Sequence, residues 1–209
     1  MKKLWRRYNE NICLDSAHKY LVIGLYENDR MICGTANLSW KRQSETIFPE
    51  LMRLMKEAGW DSDDVDEVVI TDGPGSYTGV RIAMCVAKVL CTRKHIPLYA
   101  VSTLQLYAGV HERAFVMLDA RSQRAYTGAL QGGKFVEEEQ ILTLDEIRLL
   151  LNQADYQLFG DCELIDLKAK EPKFLENFIA LRPFYRKIEN VHTLTPRYLK
   201  ESDAYKVKP

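Results

Sequence analysis

The order strand, strand, strand, helix, strand is predicted twice along this chain, and this repeat constrains the fold more than any other feature of the sequence. In the first copy the strands are short runs rich in apolar and β-branched residues, and the helix carries apolar residues at helical spacing. The elements of this copy are predicted at residues 11–15, 20–26, 31–38, 46–58 and 65–71. A further helix follows at 79–93.

The second copy shows no residue-level similarity to the first. Its elements are predicted at residues 114–119, 124–130, 135–141, 143 onward and 157–159. Thr143 and Glu146 have the spacing of a capping box, which marks the start of the second helix. Strands that alternate with helices in this way form layered α/β domains.

A duplicated lobe of this kind is the architecture of the actin-like ATPase fold, which is also called the ASKHA or RNase H-like fold. We therefore predict an α/β protein of two duplicated lobes. The first lobe is predicted at 1–103 and the second at 104–209. The last segment, from about 195 to 209, is expected to pack back on the first lobe.

Charge narrows the range of binding partners. The chain has 209 residues, with 29 basic and 29 acidic side chains, so its formal net charge is zero. Proteins that hold a phosphate backbone are usually basic, so bulk charge does not favour independent RNA binding. The chain also has local basic clusters, which either contact RNA directly or form ordinary solvated surface. These clusters are Lys2, Lys3, Arg6 and Arg7, and then Arg182, Arg186 and Lys187.

The cysteines and the hydropathy pattern indicate in which cellular compartment the chain is expected. The five cysteines are odd in number and lack C-x-x-C spacing, which is typical of free thiols in a reducing compartment. No signal-peptide core is recognisable, and no run approaches the roughly 18 apolar residues of a membrane span. The expected location is the cytoplasm, without membrane contact.

The most specific motif is a glycine-rich turn between the strand at 65–71 and the helix at 79–93. Two glycines flank a proline, so a sharp turn with a residue at positive φ is expected. Such turns also hold phosphates, but this one lacks the P-loop Gly-Lys-Ser/Thr and the G-x-G-x-x-G spacing, so packing is favoured. Ser76 and Thr78 are both suitable N-caps. The residues of this signature turn are Gly73, Pro74, Gly75, Ser76, Thr78, Gly79 and Arg81.

Both helices of the first lobe are apolar around more of their circumference than a monomer surface requires. On the helix at 79–93 only Arg81 and Lys88 keep a polar stripe. Either the lobe encloses both helices, or their surplus apolar surface binds another subunit. A lobe of about 100 residues seldom encloses two helices, which favours the second interpretation. The predicted interface residues are Ile47, Phe48, Leu51, Met52, Met55, Val80, Ile82, Met84, Val86, Ala87 and Leu90.

Six segments, in the same order along the chain, resemble the TsaB (YeaZ) family of partner subunits in bacterial threonylcarbamoyladenosine synthesis. The run at 72–82 resembles its GPGS-aromatic-TG-aliphatic-R signature. The other segments are Asp15-Ser16, 96–104, Leu118-Asp119-Ala120-Arg121, Gly160-Asp161 and Pro196-Arg197-Tyr198-Leu199-Lys200. Three regions depart from the family pattern. Gln43 replaces the histidine of a His-Ser-Glu motif, and Ser16-Ala17 replaces the threonine of the first turn. The segment 172–193 does not resemble the usual Ala-rich helix.

The resemblance implies a function as well as a fold. In this family's complex, a TsaD-type subunit transfers a threonylcarbamoyl group from its adenylate to N6 of adenosine 37 in tRNAs reading ANN codons. A TsaE-type subunit is the ATPase. This chain is then expected to be a non-catalytic scaffold that binds the TsaD-type subunit through the two helices and meets tRNA only through the complex. Whether the isolated chain forms a homodimer through the same helices is left open.

Catalytic and metal-binding patterns are missing from the sequence. The histidines His18, His95, His111 and His192 are not spaced to share a helix face, so no metal site is predicted.

Asp15 and Asp119 lie where the phosphate loops of an actin-like ATPase would be, and they are the candidate cofactor-binding residues. Turn formation at a strand end accounts for both residues as well. We predict no catalytic residue and no cofactor, and a nucleotide at a subunit boundary stays open. The alternative function is an independent actin-like ATPase or kinase.

Overall fold

The first sheet is built around β1 (Glu10–Asp15) and β4 (Glu67–Thr71), two short strands that are buried at every residue. They pair in parallel, as largely apolar strands inside an α/β sheet do. The strands β2 (Tyr20–Glu27) and β3 (Arg30–Leu38) extend one side as an antiparallel hairpin, and β5 (Leu98–Val101) pairs in parallel with β4. The computed structural model describes residues 9–39 and 41–199.

Two long helices cover one face of this sheet. Helix α1 (Gln43–Ala58) packs on β2 and β3, and α2 (Tyr77–Lys94) packs on β4. Gly59 ends α1 in the left-handed conformation with φ at 70°, which suits glycine. The helix begins at Gln43 rather than at residue 46, because the Gln43 side chain turns inward and donates to the carbonyl oxygen of His18 at 2.7 Å.

The second sheet repeats the arrangement with shorter elements. Its centre is the antiparallel pair β6 (Ala114–Asp119) and β7 (Arg124–Gln131). Strand β10 (Gln157–Gly160) pairs in parallel with β6, as β4 does with β1 in the first sheet. Helix α4 (Leu144–Leu151) begins at Thr143, and the predicted capping box with Glu146 is confirmed.

One predicted strand of the second lobe is wrong. In place of a continuous strand at 135–141, the chain forms β8 (Lys134–Phe135) and β9 (Gln140–Thr143), which both pair with β7. The interruption falls at Glu139, whose side chain is only 6% exposed and is bound by Arg197. A tertiary ion pair therefore takes precedence over the local strand pattern here.

The apolar side chains form three clusters that alternate with the two sheets. The first lies between the first sheet and helices α1 and α2. The second fills the space between the sheets together with α3 (Thr103–Ala108) and α5 (Phe174–Ala180). The third lies under α4 on the far side of the second sheet. The layers are therefore helices, sheet, helices, sheet and helix, which is the predicted actin-like fold with two duplicated lobes.

The chain returns to the first lobe earlier than predicted. Helix α5 packs against β2 and β3, and β11 (Arg186–Lys187) pairs with β5 at the edge of the first sheet. The segment 172–193, whose role the sequence left open, thus joins the second lobe to the first. Residues 191–199, here called the C-terminal strap, follow it and run along α2. Residues 200–209 lie outside the described part of the chain.

Among the described residues, no helix combines the length and apolar character needed to cross a lipid bilayer.

Candidate partner-binding surface and interlobe cleft

The signature turn packs so closely on the β1–β2 connection that side chains are excluded. The N–H of Ser76 donates to the carbonyl oxygen of Ala17 at 2.8 Å. A Cβ added at Gly75 would lie 2.4 Å from that same oxygen. A Cβ added at Gly79 would lie 2.3 Å from the carbonyl oxygen of Ser16. Both glycines are therefore required by close backbone approach.

Two serine hydroxyls bind backbone groups in the first turns of α2. Ser76 is the N-cap, and its Oγ accepts from the N–H of Gly79 at 3.3 Å. The hydroxyl of Ser16 donates to the carbonyl oxygen of Gly79 at 2.7 Å and accepts from the N–H of Ala83 at 3.1 Å. These contacts support the packing interpretation of the turn over the phosphate-binding one.

A strip of apolar side chains stays exposed on α1 and α2. Phe48 and Met52 are 58% and 71% exposed, and Val89 is 69% exposed. Neighbouring apolar side chains on the two helices are only partly buried against the core. Exposed apolar side chains grouped on two helices that pack together are typical of a protein–protein interface. The docking face, as we call it, consists of Phe48, Met52, Met55, Ile82, Val89 and Leu90.

Six of the predicted interface residues belong to the core instead. A helix that covers a sheet must turn one apolar stripe toward that sheet, and these six residues form the stripes of α1 and α2. They are Ile47, Leu51, Val80, Met84, Val86 and Ala87, all buried in the first cluster. Five of the predicted interface residues therefore remain at the surface, and the docking face consists of these five and Val89.

The polar stripe of α2 binds the C-terminal strap. The ammonium group of Lys88 donates to the carbonyl oxygens of His192 and Leu194 at 3.0 and 2.8 Å. Arg81 Nε donates to the hydroxyl of Tyr198 at 3.1 Å. The two polar residues that interrupt the apolar circumference of α2 thus hold a segment of the same chain.

A buried ion network lies where the strap crosses the signature turn. Asp72, at the end of β4, is bound by Arg186 and by Arg197, whose Nε lies 3.2 Å from Asp72 Oδ1. Burial raises the pKa of the Asp72 carboxyl, although both arginines oppose this shift. Arg197 also donates to the carbonyl oxygen of Gly73 at 3.1 Å and pairs with Glu139 of the second lobe.

The candidate cofactor residue Asp15 faces the core. Its side chain accepts hydrogen bonds from the hydroxyl of Thr71 and from the N–H of Ala17, and the residue is 1% exposed. Burial raises the pKa of the Asp15 carboxyl. A carboxylate that holds Mg²⁺ needs to be ionised and accessible. The geometry therefore fits a strand-end turn residue better than a cofactor ligand.

The second candidate, Asp119, lies at an ionic clamp between the lobes. Its N–H donates to Asp161 Oδ2 at 2.7 Å, and its own carboxylate accepts from the N–H of Arg121 at 2.7 Å. Asp161 in turn binds His18 at 3.0 Å and Lys19 at 2.5 Å. Burial raises the pKa of Asp161, but His18 and Lys19 outweigh it and hold the value at about 2. The turns that carry Asp15 and Asp119 are thus brought together through Asp161.

An open cleft of about 870 Å³ adjoins this clamp. Its walls include Asp119 from the second lobe and His18 from the first, and Ile82 of the docking face lies at its rim. Asp15 does not line the cleft, because its side chain turns toward the core.

No group of three or more His, Cys, Asp or Glu side chains is arranged to hold a metal ion within residues 9–39 and 41–199. Of the predicted basic clusters, Arg182 pairs with Glu67 at 3.2 Å, and Arg186 pairs with Asp72. These carboxylates reduce the charge that the second cluster offers to RNA. The first cluster, Lys2 to Arg7, lies outside the described residues.

Sequence reasoning missed the residues that join the lobes. Asp161 and Glu139 meet their partners across separations of more than 50 residues, which no local pattern reveals. Arg197 and Tyr198 lie in a segment that resembles the TsaB (YeaZ) family. The sequence therefore singled out these two residues but assigned them no role. A run of three glutamates at 137–139, inside the predicted strand at 135–141, was the local sign for Glu139.

Comparison with known proteins agrees with this architecture. The family model described as "TsaD: tRNA N6-adenosine threonylcarbamoyltransferase" matches residues 37–149, more than half of the chain. The "tRNA threonylcarbamoyladenosine biosynthesis protein TsaB" of Bacillus subtilis strain 168 is 28% identical over 217 residues, covering 92% of this chain and 95% of its own. The protein of the same name from Escherichia coli K12 is 26% identical over 126 residues, which cover 57% of this chain and 54% of its own.

The solved structure of YeaZ from Pseudomonas aeruginosa has the same fold, with a TM-score of 0.76 and 23% identity over 91% of this chain and 100% of its own. The fold and the matched family model define an actin-like, two-lobed member of the threonylcarbamoyltransferase-related proteins. The chain belongs to this family, in its TsaB (YeaZ) branch.

Proposed function

We propose that this chain is a non-catalytic subunit of the complex that transfers a threonylcarbamoyl group to N6 of adenosine 37 in tRNAs reading ANN codons. Its family membership and its likeness to TsaB of B. subtilis along nearly the full length support a role in threonylcarbamoyladenosine biosynthesis. The docking face carries the proposal, because the described part of the chain leaves its large apolar side chains Phe48, Met52 and Val89 mostly exposed. The proposed location is the cytoplasm, where the tRNA substrate is.

The partner at the docking face is a TsaD-type catalytic subunit. Phe48, Met52 and Val89 are mostly exposed, and a partner that covers them removes apolar surface from water at about 25 cal/mol per Å². A scaffold that binds only the active conformation of its partner shifts the partner's population by the difference in affinity. Such a subunit is needed for activity although it touches no reacting atom.

Several contacts support a role without chemistry of its own. Asp15 is buried and has an elevated pKa, and the hydroxyls of Ser16 and Ser76 bind backbone groups in the first turns of α2. ATP hydrolysis in the complex is assigned to a TsaE-type subunit, and tRNA is met through the complex. A nucleotide at the boundary with the partner is compatible with the cleft beside the docking face.

The test is reconstitution of threonylcarbamoyl transfer from purified components. We expect the TsaD-type subunit with tRNA and threonylcarbamoyl-adenylate to be active only when this chain is added, and the chain alone to be inactive. Transfer by the TsaD-type subunit at the same rate with and without the chain would contradict the proposal. Before this test, the molar mass of the isolated chain is measured by light scattering at several concentrations. This is needed because the docking face is expected to allow two copies to associate when the partner is absent.

Two variants distinguish the proposed function from the alternative, an independent ATPase or kinase. Asp15→Asn and Asp119→Asn keep acceptor oxygens for the hydrogen bonds at those positions but remove the charge that Mg²⁺ needs. We expect both variants to support transfer as the wild type does, and the wild-type chain alone to show no ATP turnover. Turnover by the chain alone that both variants abolish would favour the enzyme instead.

A further inference from the structure

The C-terminal strap brings an aromatic side chain to the start of α2. The rings of Tyr198 and Tyr77 stack with centroids 5.3 Å apart and an angle of 16° between their planes. The guanidinium carbon of Arg81 lies 4.2 Å from the centre of the Tyr77 ring, and Arg81 Nε donates to the Tyr198 hydroxyl at 3.1 Å. All three side chains are exposed, so each helps to fix the other two at the surface.

This trio, here called the aromatic cluster, continues the docking face. Ile82 follows Arg81 in α2, belongs to the docking face, and lines the same cleft as Tyr77 and Tyr198. Ser44, in the first turn of α1, lines that cleft too. One continuous surface therefore runs from the exposed side of α1 and α2 to the strap.

The position of Tyr198 is set by its neighbour Arg197. The backbone N–H of Arg197 donates to the carbonyl oxygen of Asp72 at 2.8 Å, and its guanidinium binds the carboxylates of Asp72 and Glu139. A Cβ added at Gly73 would lie 2.6 Å from the Arg197 carbonyl oxygen. Gly73, at a φ of 112°, thus gives the signature turn a surface onto which the strap fits closely.

The anchoring is strong because both carboxylates are buried. The side chains of Asp72 and Glu139 are 2% and 6% exposed, and the hydroxyl of Ser102 also donates to Glu139. Removing one member of such a network leaves buried charge without compensation. A strap held in this way presents Tyr198 in one fixed place, and a preorganised side chain loses little entropy when it binds.

We propose that the C-terminal strap completes the partner-binding surface, with Tyr77, Arg81 and Tyr198 in contact with the catalytic subunit and Arg197 as a positioning residue. This inference rests on the proposed function. Tyrosine and arginine are enriched at the energetic hot spots of interfaces. Within the described residues the terminal nitrogens of Arg81 have no hydrogen-bond partner, so the partner segment is expected to offer a carboxylate or carbonyl oxygen next to an apolar side chain.

An unpaired RNA base is the competing occupant, because bases also stack on exposed tyrosine rings. The zero net charge of the chain and the apolar residues beside the cluster favour the protein partner. A gel shift of the whole chain with tRNA at physiological salt decides between them. We expect no shift, and a shift that Tyr198→Ala abolishes would overturn the assignment to the protein.

The contact residues are tested by calorimetry of the full chain with the TsaD-type subunit. We expect Tyr198→Ala and Arg81→Ala each to raise the Kd about tenfold or more. Arg93→Ala is the matched control, since Arg93 is an exposed arginine in the last turn of the same helix. Its Kd is expected to stay within about twofold of wild type. Unchanged affinity in both cluster variants would overturn the inference.

The positioning role of Arg197 is tested by a double-mutant cycle with Arg197→Met and Tyr198→Ala. We expect Arg197→Met to weaken binding about as much as Tyr198→Ala, and the double variant to bind no more weakly than either single one, because both lose the same contact. If the fold-increases in Kd of the two single variants multiply in the double variant, Arg197 does not act through Tyr198. If Arg197→Met does not fold, Arg197→Lys takes its place in the cycle.

Met52→Asp separates this inference from the proposed function. If Met52→Asp prevents binding while the cluster variants bind as wild type does, the strap is not part of the surface and the proposed function stands. If Met52→Asp binds as wild type does, the docking face itself is refuted, whatever the cluster variants do.

Discussion

The two lobes share a strand order but differ in what covers their outer faces. In the first lobe, helices of 16 and 18 residues, α1 and α2, lie on the sheet. At the corresponding places the second lobe has α4, of eight residues, and a four-residue 3-10 helix at Cys162–Ile165. The longer pair has more apolar surface than its sheet can cover, and the surplus is the docking face.

The second lobe supplies anchors rather than a large surface. Asp161 reaches His18 and Lys19 of the first lobe, and Glu139 reaches Arg197 on the strap. These contacts lie at the two ends of the interlobe region and fix the turn before β2 and the strap beside α2. Under the proposed function, the difference between the lobes means that the first lobe binds the partner and the second lobe holds the first in shape.

The largest expected effect is on binding and contrasts the outer helices of the two lobes. Met52→Asp places a charge in the docking face and is expected to weaken binding of the TsaD-type subunit roughly a thousandfold. Leu149→Asp, on α4, changes a side chain that is similarly exposed, 64% against 71% for Met52. Its Kd is expected to stay within about twofold of wild type. Equal losses in both variants, measured by calorimetry, would remove the distinction between the lobes.

The next comparison is between the stability effects of substituting one glycine in each lobe. Gly79→Ala forces a Cβ to 2.3 Å from a backbone oxygen and is expected to lower the free energy of unfolding by about 3 kcal/mol. Gly132→Ala, in the turn between β7 and β8, meets no atom within 4 Å and has only its φ of 57° to overcome. Its expected cost is about 1 kcal/mol. Urea denaturation of both variants checks the difference, and a larger loss in Gly132→Ala would contradict the account of the signature turn.

The interlobe clamp predicts a dependence of stability on pH. The pKa of Asp161 is about 2 in the folded chain, against an ordinary value of 3.8, so its ionised form stabilises the fold. This stabilisation is complete above about pH 4 and is lost as the pH falls toward 2, and it amounts to roughly 2 kcal/mol. Asp161→Asn is expected to lose it at neutral pH and to unfold with a flatter pH profile. An identical slope in both proteins between pH 4 and pH 2 would refute the clamp.

The smallest effect concerns helix caps. Thr143→Ala removes the hydrogen bond that the Thr143 hydroxyl accepts from the N–H of Glu146 at the start of the short helix α4 and is expected to cost about 1 kcal/mol. Ser76→Ala removes an N-cap hydrogen bond of the same length, 3.3 Å, from α2, where Ser16 also supports the first turns. A smaller cost is expected there, and thermal denaturation of the two variants tests this order.

The local rules of the sequence predicted most of the elements. Strands at β1, β2, β3, β6 and β7 coincide with the apolar runs, and Thr143 marks the start of a helix as predicted. Such signals depend on neighbours in the sequence, which is why they are legible without a structure. Strand β5 and helix α3 were not predicted, because each is too short for its periodicity to show.

The candidate site was predictable only in outline. Apolar residues on α1 and α2 are alike in the sequence, and only the sheet beneath them separates Ile47, in the core, from Met52, at the surface. The long-range pairs Asp161 with His18 and Arg197 with Asp72 leave no local pattern. Their identification needs the fold, since they depend on loops that the strand order brings together.

The most direct test of the account is hydrogen–deuterium exchange of the chain with and without the TsaD-type subunit. We expect slower exchange in the complex for peptides covering α1 and α2, and no change for peptides covering α4. Protection confined to the second lobe, with α1 and α2 exchanging as they do in the free chain, would contradict the claim that the first lobe's surplus apolar face binds the catalytic partner.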